Sequence, residues 1–494
     1  MTLEEILQAP FFPVADLVRL HARTRPRHVA LRLEGRSLDY ATLDALMDRV
    51  AASLQRDGVR PQDSVAICAA TSLEYAAVFL GALRAGACVA PLPPSASAGS
   101  IAKMLADSGA RLLFDDQRLA GLGEWLGQDT PQPVEVQPEW PFNIIYSSGT
   151  TGEPKGIVHP QRMRWVHVQR AARLGYGPEA VTLLSTPLYS NTTLVSFLPT
   201  VALGGTAILM AKFDVRTWLE RAQAQRVTHT MLVPVQYQRF MAFADFGRYD
   251  LSSFRMKRCT SAPFRAELKA EVVRRWPGRL VDSYGLTEGG GTCMLDCGAH
   301  PDKLHTVGKP AAGHLVKIID PAGRELAAGQ TGEIVGHSPG IMTGYRNQPE
   351  KTREAEWHDA EGRRYIRTGD IGRFDEDGFL VLTDRKKDMV ISGGFNIYPS
   401  DLEAVLVQHP AVAEASVVGV PSERWGETPV AFVVLKGDSR EEGTTLLDFA
   451  NARLGKTQRL AALQIVDALP RSPIGKVLKR ELRDRYAKTG TDPI

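Results

Sequence analysis

Short apolar segments alternate with helix-length amphipathic ones from residue 28 to residue 114, and this alternation limits the folds available to the chain. His28–Glu34 places Val29, Leu31 and Leu33 on one side, the period-two pattern of a half-buried strand. Gly35 turns the chain, and Ala41–Arg56 repeats Leu43, Leu46, Met47, Val50 and Leu54 at helical spacing. Strand Ser64–Cys68, helix Leu73–Arg84, strand Cys88–Leu92, helix Ile101–Ser108 and strand Arg111–Phe114 follow. Ahead of them, Asp16 is expected to cap a helix carrying Leu17, Val18 and Leu20. Strands alternating with helices of this length predict βαβ units and parallel sheet.

The most apolar run, Val65 to Leu92, contains Glu74 and Arg84, so it reads as a buried strand–helix–strand rather than a membrane span. A chain of 494 residues with 44% hydrophobic and 23% charged residues is expected to hold more than one globular domain. A net charge of +3 is too small to indicate a nucleic-acid partner. Five scattered cysteines, an odd number, argue against a disulfide framework and for a reducing compartment. Cys293, Cys297 and His300 lack the second cysteine pair of a zinc site. The N-terminus MTLEEILQAPFF has no basic segment or long apolar core, so no signal peptide is expected and a cytoplasmic enzyme is the default.

Three loops stand at the ends of expected strands. Phe142–Tyr146 reads as a buried strand running into Ser147-Ser148-Gly149-Thr150-Thr151-Gly152-Glu153-Pro154-Lys155-Gly156. Glycines there allow close approach, and hydroxyls, N–H groups and one lysine suit phosphate oxygens; composition alone equally suits a flexible Ser/Gly loop. Strand Met256–Thr260 ends in Ser261-Ala262-Pro263, and strand Leu280–Tyr284 ends in Gly285-Leu286-Thr287-Glu288-Gly289-Gly290-Gly291. Strands Thr182–Ser185 and Thr206–Met210 and helices Val215–Gln225 and Pro234–Phe243 continue the alternation. Ligands of open α/β sheets collect at such strand ends. From Gly308 the texture changes to short strands and turns. A charge cluster, residues 384 to 388, reads by composition as a solvated turn, and a compact α+β segment of about 100 residues closes the chain.

Together, YSSGTTGEPKG (146–156), YGLTE (284–288), GE (332–333), TGD (368–370), DRKKDMVISGGFNIYP (384–399) and PRSPIGK (470–476) resemble the acyl-adenylate-forming superfamily of acyl-CoA synthetases, luciferases and peptide-synthetase adenylation domains. The motifs occur in the family's order over nearly the whole chain. The resemblance implies an α/β fold. A large N-terminal domain, residues 1–386, would combine βαβ-rich subdomains with a β-rich one. Residues 387–494 would form a small mobile α+β lid with its hinge at Lys387.

It further implies ATP-dependent activation of a carboxylic acid to acyl-AMP, with ATP, Mg²⁺ and coenzyme A as cofactors. Ser147, Thr150, Thr151 and Lys155 would hold the β- and γ-phosphates, Thr287 would meet the α-phosphate, and Glu288 would hold Mg²⁺. Tyr284 would lie against adenine, with Ser261 and Ala262 on its other side. Asp370 would anchor the ribose, Arg385 would sit near ribose and phosphates, and Lys476 would be the adenylation lysine. For the thiol step, Gly393 and Gly394 would flank pantetheine. Trp425, in a segment similar to a lid loop of 4-chlorobenzoate:CoA ligase, would touch the same arm, and Arg459 would meet a CoA phosphate. Gln458-Arg459-Leu460-Ala461-Ala462 departs from the Lys-x-Pro-Lys/Arg of many CoA ligases.

The acyl pocket would be lined by a loop at Leu188–Thr193, including Tyr189, Ser190 and Asn191, by Gln236 and Tyr237, and by Gly289 and Gly290. The glycines either leave room for a bulky group or permit a tight turn. No arginine or lysine lies in 188–193, which points to a monocarboxylic acid, aromatic or medium-chain fatty. The alternatives are loading of a carrier protein's phosphopantetheine, and a nucleotide-binding regulator without catalysis. Oligomeric state stays open, a homodimer included.

Overall fold

The computed structural model describes all residues except 1, 148–154, 386–387, 393–394, 423–424, 438, 456–457, 473–474 and 489–494; the side chains of 147, 384, 385, 391, 395 and 396 are likewise outside the description. Contacts divide the chain into two compact units, Met1–Val316 with Gly336–Ile366, and Lys317–Val335 with Arg367–Ile494. No helix among the described residues is long and apolar enough to cross a membrane.

The first unit contains two sheets. The larger runs Lys309–Pro310, Thr292–Asp296, Arg279–Gly285, Met256–Cys259, His229–Leu232, Val181–Leu184, Thr206–Leu209, Val29–Leu33, Arg36–Asp39. Its five central junctions are parallel and its outer ones antiparallel. The second runs Gly344–Tyr345, Lys155–Pro160, Pro141–Ser147, Cys88–Pro91, Ser64–Cys68, Ala110–Asp115. One apolar core joins them, with Val65, Phe79, Phe142, Trp165, Leu194, Phe197 and Met231 all buried.

The strand and helix bounds Ser64–Cys68 and Leu73–Arg84 match the sequence expectation. Asp16 does not cap its helix. Val14–Thr24 begins after Pro13, whose fixed φ pre-sets the entry, and Asp16 lies in the first turn, where its charge complements the helix dipole. A second correction concerns Leu188–Thr193. Asn191 to Thr193 already belong to a helix, Asn191–Ala202, and Ser190 caps it by accepting from the Thr192 N–H.

The strand ending at Gly285 is tied down by a buried ion pair, Lys269 Nζ to Asp282 at 2.7 Å. Such a pair gains little unless its remaining protons find partners. Here the ammonium also donates to the carbonyls of Leu304 and Thr306, at 3.0 and 2.9 Å.

In the second unit, the part of strand Arg364–Phe374 from Arg367 onward pairs antiparallel with Leu380–Arg385, with Asp370 opposite Arg385. Asp384 and Arg385 therefore end a strand rather than forming a turn, and residues 386 and 387 lie outside the description. The C-terminal sheet runs Phe395–Ile397, Val390–Ser392, Gly426–Leu435, Val412–Ser422, with Ala462–Ile465 added beside Gly426–Leu435. Strand alternation sends Val417 and Val433 to one face, against Leu402, Leu406 and Leu446. Val418 and Phe432 go to the other, against Leu482 and Tyr486.

Candidate active site

In the first unit, the Ser/Thr/Gly segment connects two paired strands, Pro141–Ser147 and Lys155–Pro160, with Ser147 opposite Lys155. Thr150 and Thr151 lie outside the described residues, as does the Ser147 side chain. Lys155 is described, and its Nζ lies 5.1 Å from the centre of the Tyr345 ring, in cation–π range. The Tyr345 hydroxyl donates to Glu288 Oε1 at 2.9 Å. Burial first, then the Glu288 charge, push the Tyr345 phenol well above its ordinary value, so it remains a donor. The lysine expected on the phosphate side and the carboxylate expected to bind metal thus converge on one tyrosine that sequence reasoning missed. Tyr345 sits in a two-residue strand, Gly344–Tyr345, opposite Ile157, and a strand that short leaves no periodic signal.

Glu288 is fixed from both ends. Its carbonyl accepts from the Met342 N–H at 2.8 Å, and Tyr345 holds one carboxylate oxygen. The other oxygen accepts no hydrogen bond from the described residues, which leaves a hard, half-buried ligand suited to Mg²⁺.

Thr287 is held by a second set of residues that sequence reasoning missed. His159 Nε2 lies 2.7 Å from the Thr287 carbonyl. Burial and the Arg164 charge push the His159 ring well below its ordinary pKa, so the imidazole is neutral and its single proton belongs on Nε2. Nδ1 then accepts from Arg164 Nη2 at 2.9 Å. Arg164 also donates to Asn143 Oδ1 from Nε and Nη2, at 3.0 and 2.8 Å, and to Asn191 Oδ1 at 2.9 Å. One buried guanidinium therefore links the strand before the loop, the Thr287 carbonyl through His159, and the start of the Asn191–Ala202 helix.

Tyr284 is half-buried at the end of its strand. Ser261 stands at φ +81 with its hydroxyl 2.7 Å from Thr192 Oγ1, and Thr260 donates to the Ser283 carbonyl. Tyr189 is half-buried, and burial raises its phenol.

Residues expected at the acyl pocket engage neighbouring protein. Gln236 spends its amide internally, accepting from the Val233 N–H at 3.1 Å and donating to Ser185 Oγ at 3.0 Å; the buried Tyr237 hydroxyl donates to the Arg258 carbonyl. Gly289 and Gly290 open no space. A β-carbon on Gly289, which has φ +77, would lie 2.1 Å from the Gly340 carbonyl oxygen, and one on Gly290 would lie 2.4 Å from Ile366 Cβ. The glycines let backbone pack on neighbouring protein.

In the second unit, Asp370 is buried, and its N–H donates to Thr368 Oγ1, which donates to the Ile334 carbonyl. The Arg385 side chain, Lys387, Gly393 and Gly394 lie outside the description. Lys476 is exposed on a turn closed by Ser472 N–H to the Lys476 carbonyl at 2.8 Å, with Gly475 at φ +78. Arg471 braces that turn through Gly475 and an ion pair with Glu414. Trp425 is 45% exposed, so it is not a packed core residue, and Arg459 is exposed.

Residues 18–346 match the family model of the AMP-binding enzymes, and residues 401–476 match that of their C-terminal domain. The chain belongs to this acyl-adenylate-forming family. Among AMP-binding enzymes it is 34% identical to a feruloyl-CoA synthase from Amycolatopsis sp, over 94% of this chain and 97% of the other. It is 32% identical to the fatty acid–[acyl-carrier-protein] ligase ScoC from Streptomyces coeruleorubidus, over 94% and 95%. ATP-bound MatB from Rhodopseudomonas palustris superposes with a TM-score of 0.85 at 26% identity, covering 97% of this chain and all 100% of that one.

Proposed function

We propose that the protein is an AMP-forming acid–thiol ligase that joins a carboxylic acid with an aromatic or fatty body to the thiol of coenzyme A through an acyl-AMP intermediate. The observation that carries this reading is the convergence of Lys155 and Glu288 on Tyr345, in a chain that matches both AMP-binding models.

The acid's carboxylate attacks the α-phosphate of ATP, and pyrophosphate leaves. Two anions repel, so catalysis here is positioning and charge neutralisation. Lys155 and the hydroxyls of Ser147, Thr150 and Thr151 offset the β- and γ-phosphate charge. His159 fixes the Thr287 carbonyl, and with it the residue that meets the α-phosphate. Glu288, oriented by Tyr345, would hold Mg²⁺. When bound, that ion neutralises phosphate charge and aligns the leaving group. Tyr284, Ser261 and Ala262 receive adenine, and Asp370 and Arg385 receive the ribose. Lys476 stabilises charge between carboxylate and α-phosphate.

In the second step the thiol attacks the acyl carbonyl and AMP leaves. Gly393, Gly394, Trp425 and Arg459 serve the pantetheine and nucleotide of CoA. A lid of residues 387–494 pivots at Lys387 between the two steps. Loading of a carrier protein is the second reading. It is supported by the relative named as an acyl-carrier-protein ligase and by the departure from the usual CoA-ligase pattern at Gln458–Ala462.

ATP–pyrophosphate exchange over a panel of acids, followed by AMP release with and without CoA, tests the reading. Exchange without CoA-dependent turnover would favour the carrier acceptor, and no exchange with any acid would refute adenylation. Lys476→Ala should impair adenylation more than thioester formation from supplied acyl-AMP; equal loss of both would remove the role given to Lys476.

A further inference from the structure

Asp107 stands where its own helix disfavours a carboxylate. It is the next-to-last residue of the helix Ala98–Ser108, whose last turn carries no basic residue. Aspartate is a poor helix former, and a negative charge in the last turn meets the negative end of the helix dipole. Local preference therefore opposes Asp107, and such departures are expected where function demands them.

Its tertiary contacts supply the reason. Asp107 Oδ2 accepts from the Tyr146 hydroxyl at 2.8 Å. Oδ1 accepts from Asn347 Nδ2 at 3.1 Å, and the Asp107 carbonyl accepts from the same nitrogen at 2.9 Å. Burial first, then the bond to Asp107, hold the Tyr146 phenol above its ordinary value, so it stays a donor. Tyr146 pairs with Gly156 across the hairpin, and Gly156 directly follows Lys155. A β-carbon on Gly156 would lie 2.9 Å from Asp107 Oδ2 and 2.9 Å from Ile144 Cγ2, so the space over that glycine is already filled. Asn347 follows Tyr345 by two residues and stands at φ +54, a left-handed conformation that asparagine tolerates. Between them, Arg346 donates its N–H to the Gly156 carbonyl at 2.7 Å. One carboxylate thus holds the residue paired beside Lys155 and the residue just beyond Tyr345.

We propose that Asp107 is a positioning residue for the phosphate side of the site, setting Lys155 against Tyr345 and, through Tyr345, the direction of Glu288. This rests on the adenylating function above and adds the part of the chain that keeps its cation and carboxylate in register. Asp107 acts through Tyr146 and Asn347, not on the nucleotide. Its loss should therefore weaken ATP and spare the acid.

The test is calorimetric titration of ATP with Mg²⁺ in the absence of acid, followed by pyrophosphate exchange with ferulate, benzoate and octanoate. Asp107→Ala should weaken ATP binding by about tenfold or more, the scale of a lost hydrogen bond to a charged group. KM for ATP should rise in parallel, with KM for the acid unchanged. Asp107→Asn keeps an acceptor for Tyr146 and should recover part of the affinity. Tyr146→Phe and Asn347→Ala remove one arm each, and neither should add to the loss in Asp107→Ala, because all three act through one carboxylate. They also carry the test if Asp107→Ala does not fold. A merely structural role would lower Tm and the active fraction while leaving the folded protein's affinity for ATP unchanged, and that result would overturn the inference alone. Equal rises in both KM values would refute its placement on the phosphate side. No exchange by the unaltered protein with any of the acids would overturn the adenylating function, and the inference with it.

Discussion

Replacing Gly289 or Gly290 by alanine separates two roles for the same loop, packing of protein on protein and clearance for an acyl group. At Gly290 the new methyl would lie 2.4 Å from Ile366 Cβ and 3.1 Å from the Gly336 carbonyl oxygen. Ile366 is buried with Ile157, Ile341 and Met342, so neither neighbour can swing aside. Forcing a methyl into a filled site of this kind costs about 1–3 kcal/mol. At Gly289 the overlap is with the Gly340 carbonyl, and the backbone stands at φ +77. A left-handed conformation adds about 1–2 kcal/mol for a residue with a β-carbon, so Gly289→Ala is expected to cost about 2–5 kcal/mol in all. Denaturant unfolding measures this, and pyrophosphate exchange with short and bulky acids on the surviving protein measures selectivity. Both variants should lose stability with little change in the ranking of acids. Unchanged stability with a selective rise in KM for bulky acids would refute the packing argument and restore the loop as a spacer.

Two further outcomes follow from the site and the core. Tyr345→Phe removes the donor to Glu288 Oε1; a hydrogen bond to a charged group is worth about 1.5–3 kcal/mol, so adenylation should fall about tenfold or more and require more Mg²⁺, and an unchanged Mg²⁺ titration would count against the role of Tyr345. His229 and His314 are held at about 4, by burial first and then by arginine charges. Their folded values lie below the unfolded value of about 6.5, so the unfolded chain binds more protons in between, and stability should fall by about 1.4 kcal/mol per pH unit per histidine as pH drops through that window. Urea midpoints that do not fall between neutral and mildly acidic pH would contradict it.

The parallel core was legible because buried strands and amphipathic helices such as Ser64–Cys68 and Leu73–Arg84 carry their period openly. The helix Asn191–Ala202 was not. It holds Thr192, Thr193, Val195, Thr200 and Val201, poor helix formers by propensity, and Pro199 within it, and only burial against the core with a Ser190 cap makes it helical. The helix Gln161–Arg173 was equally hidden, because it buries Gln161 and Arg164 among its apolar residues and blurs the amphipathic pattern. Motif residues such as Lys155, Thr287 and Glu288 could be found from order and spacing. Their supports could not. Tyr345 reaches Lys155 from 190 positions downstream, and Arg164 acts through a hydrogen-bond network that only the folded chain assembles.

The most direct test of the central claim follows the carboxylate oxygen. An acid labelled with a heavy oxygen isotope in its carboxylate is incubated with ATP, Mg²⁺ and CoA, and the products are weighed by mass spectrometry. Passage through acyl-AMP predicts one labelled oxygen in the AMP released and none in pyrophosphate. Unlabelled AMP accompanying acyl-CoA, or label appearing in pyrophosphate, would contradict it.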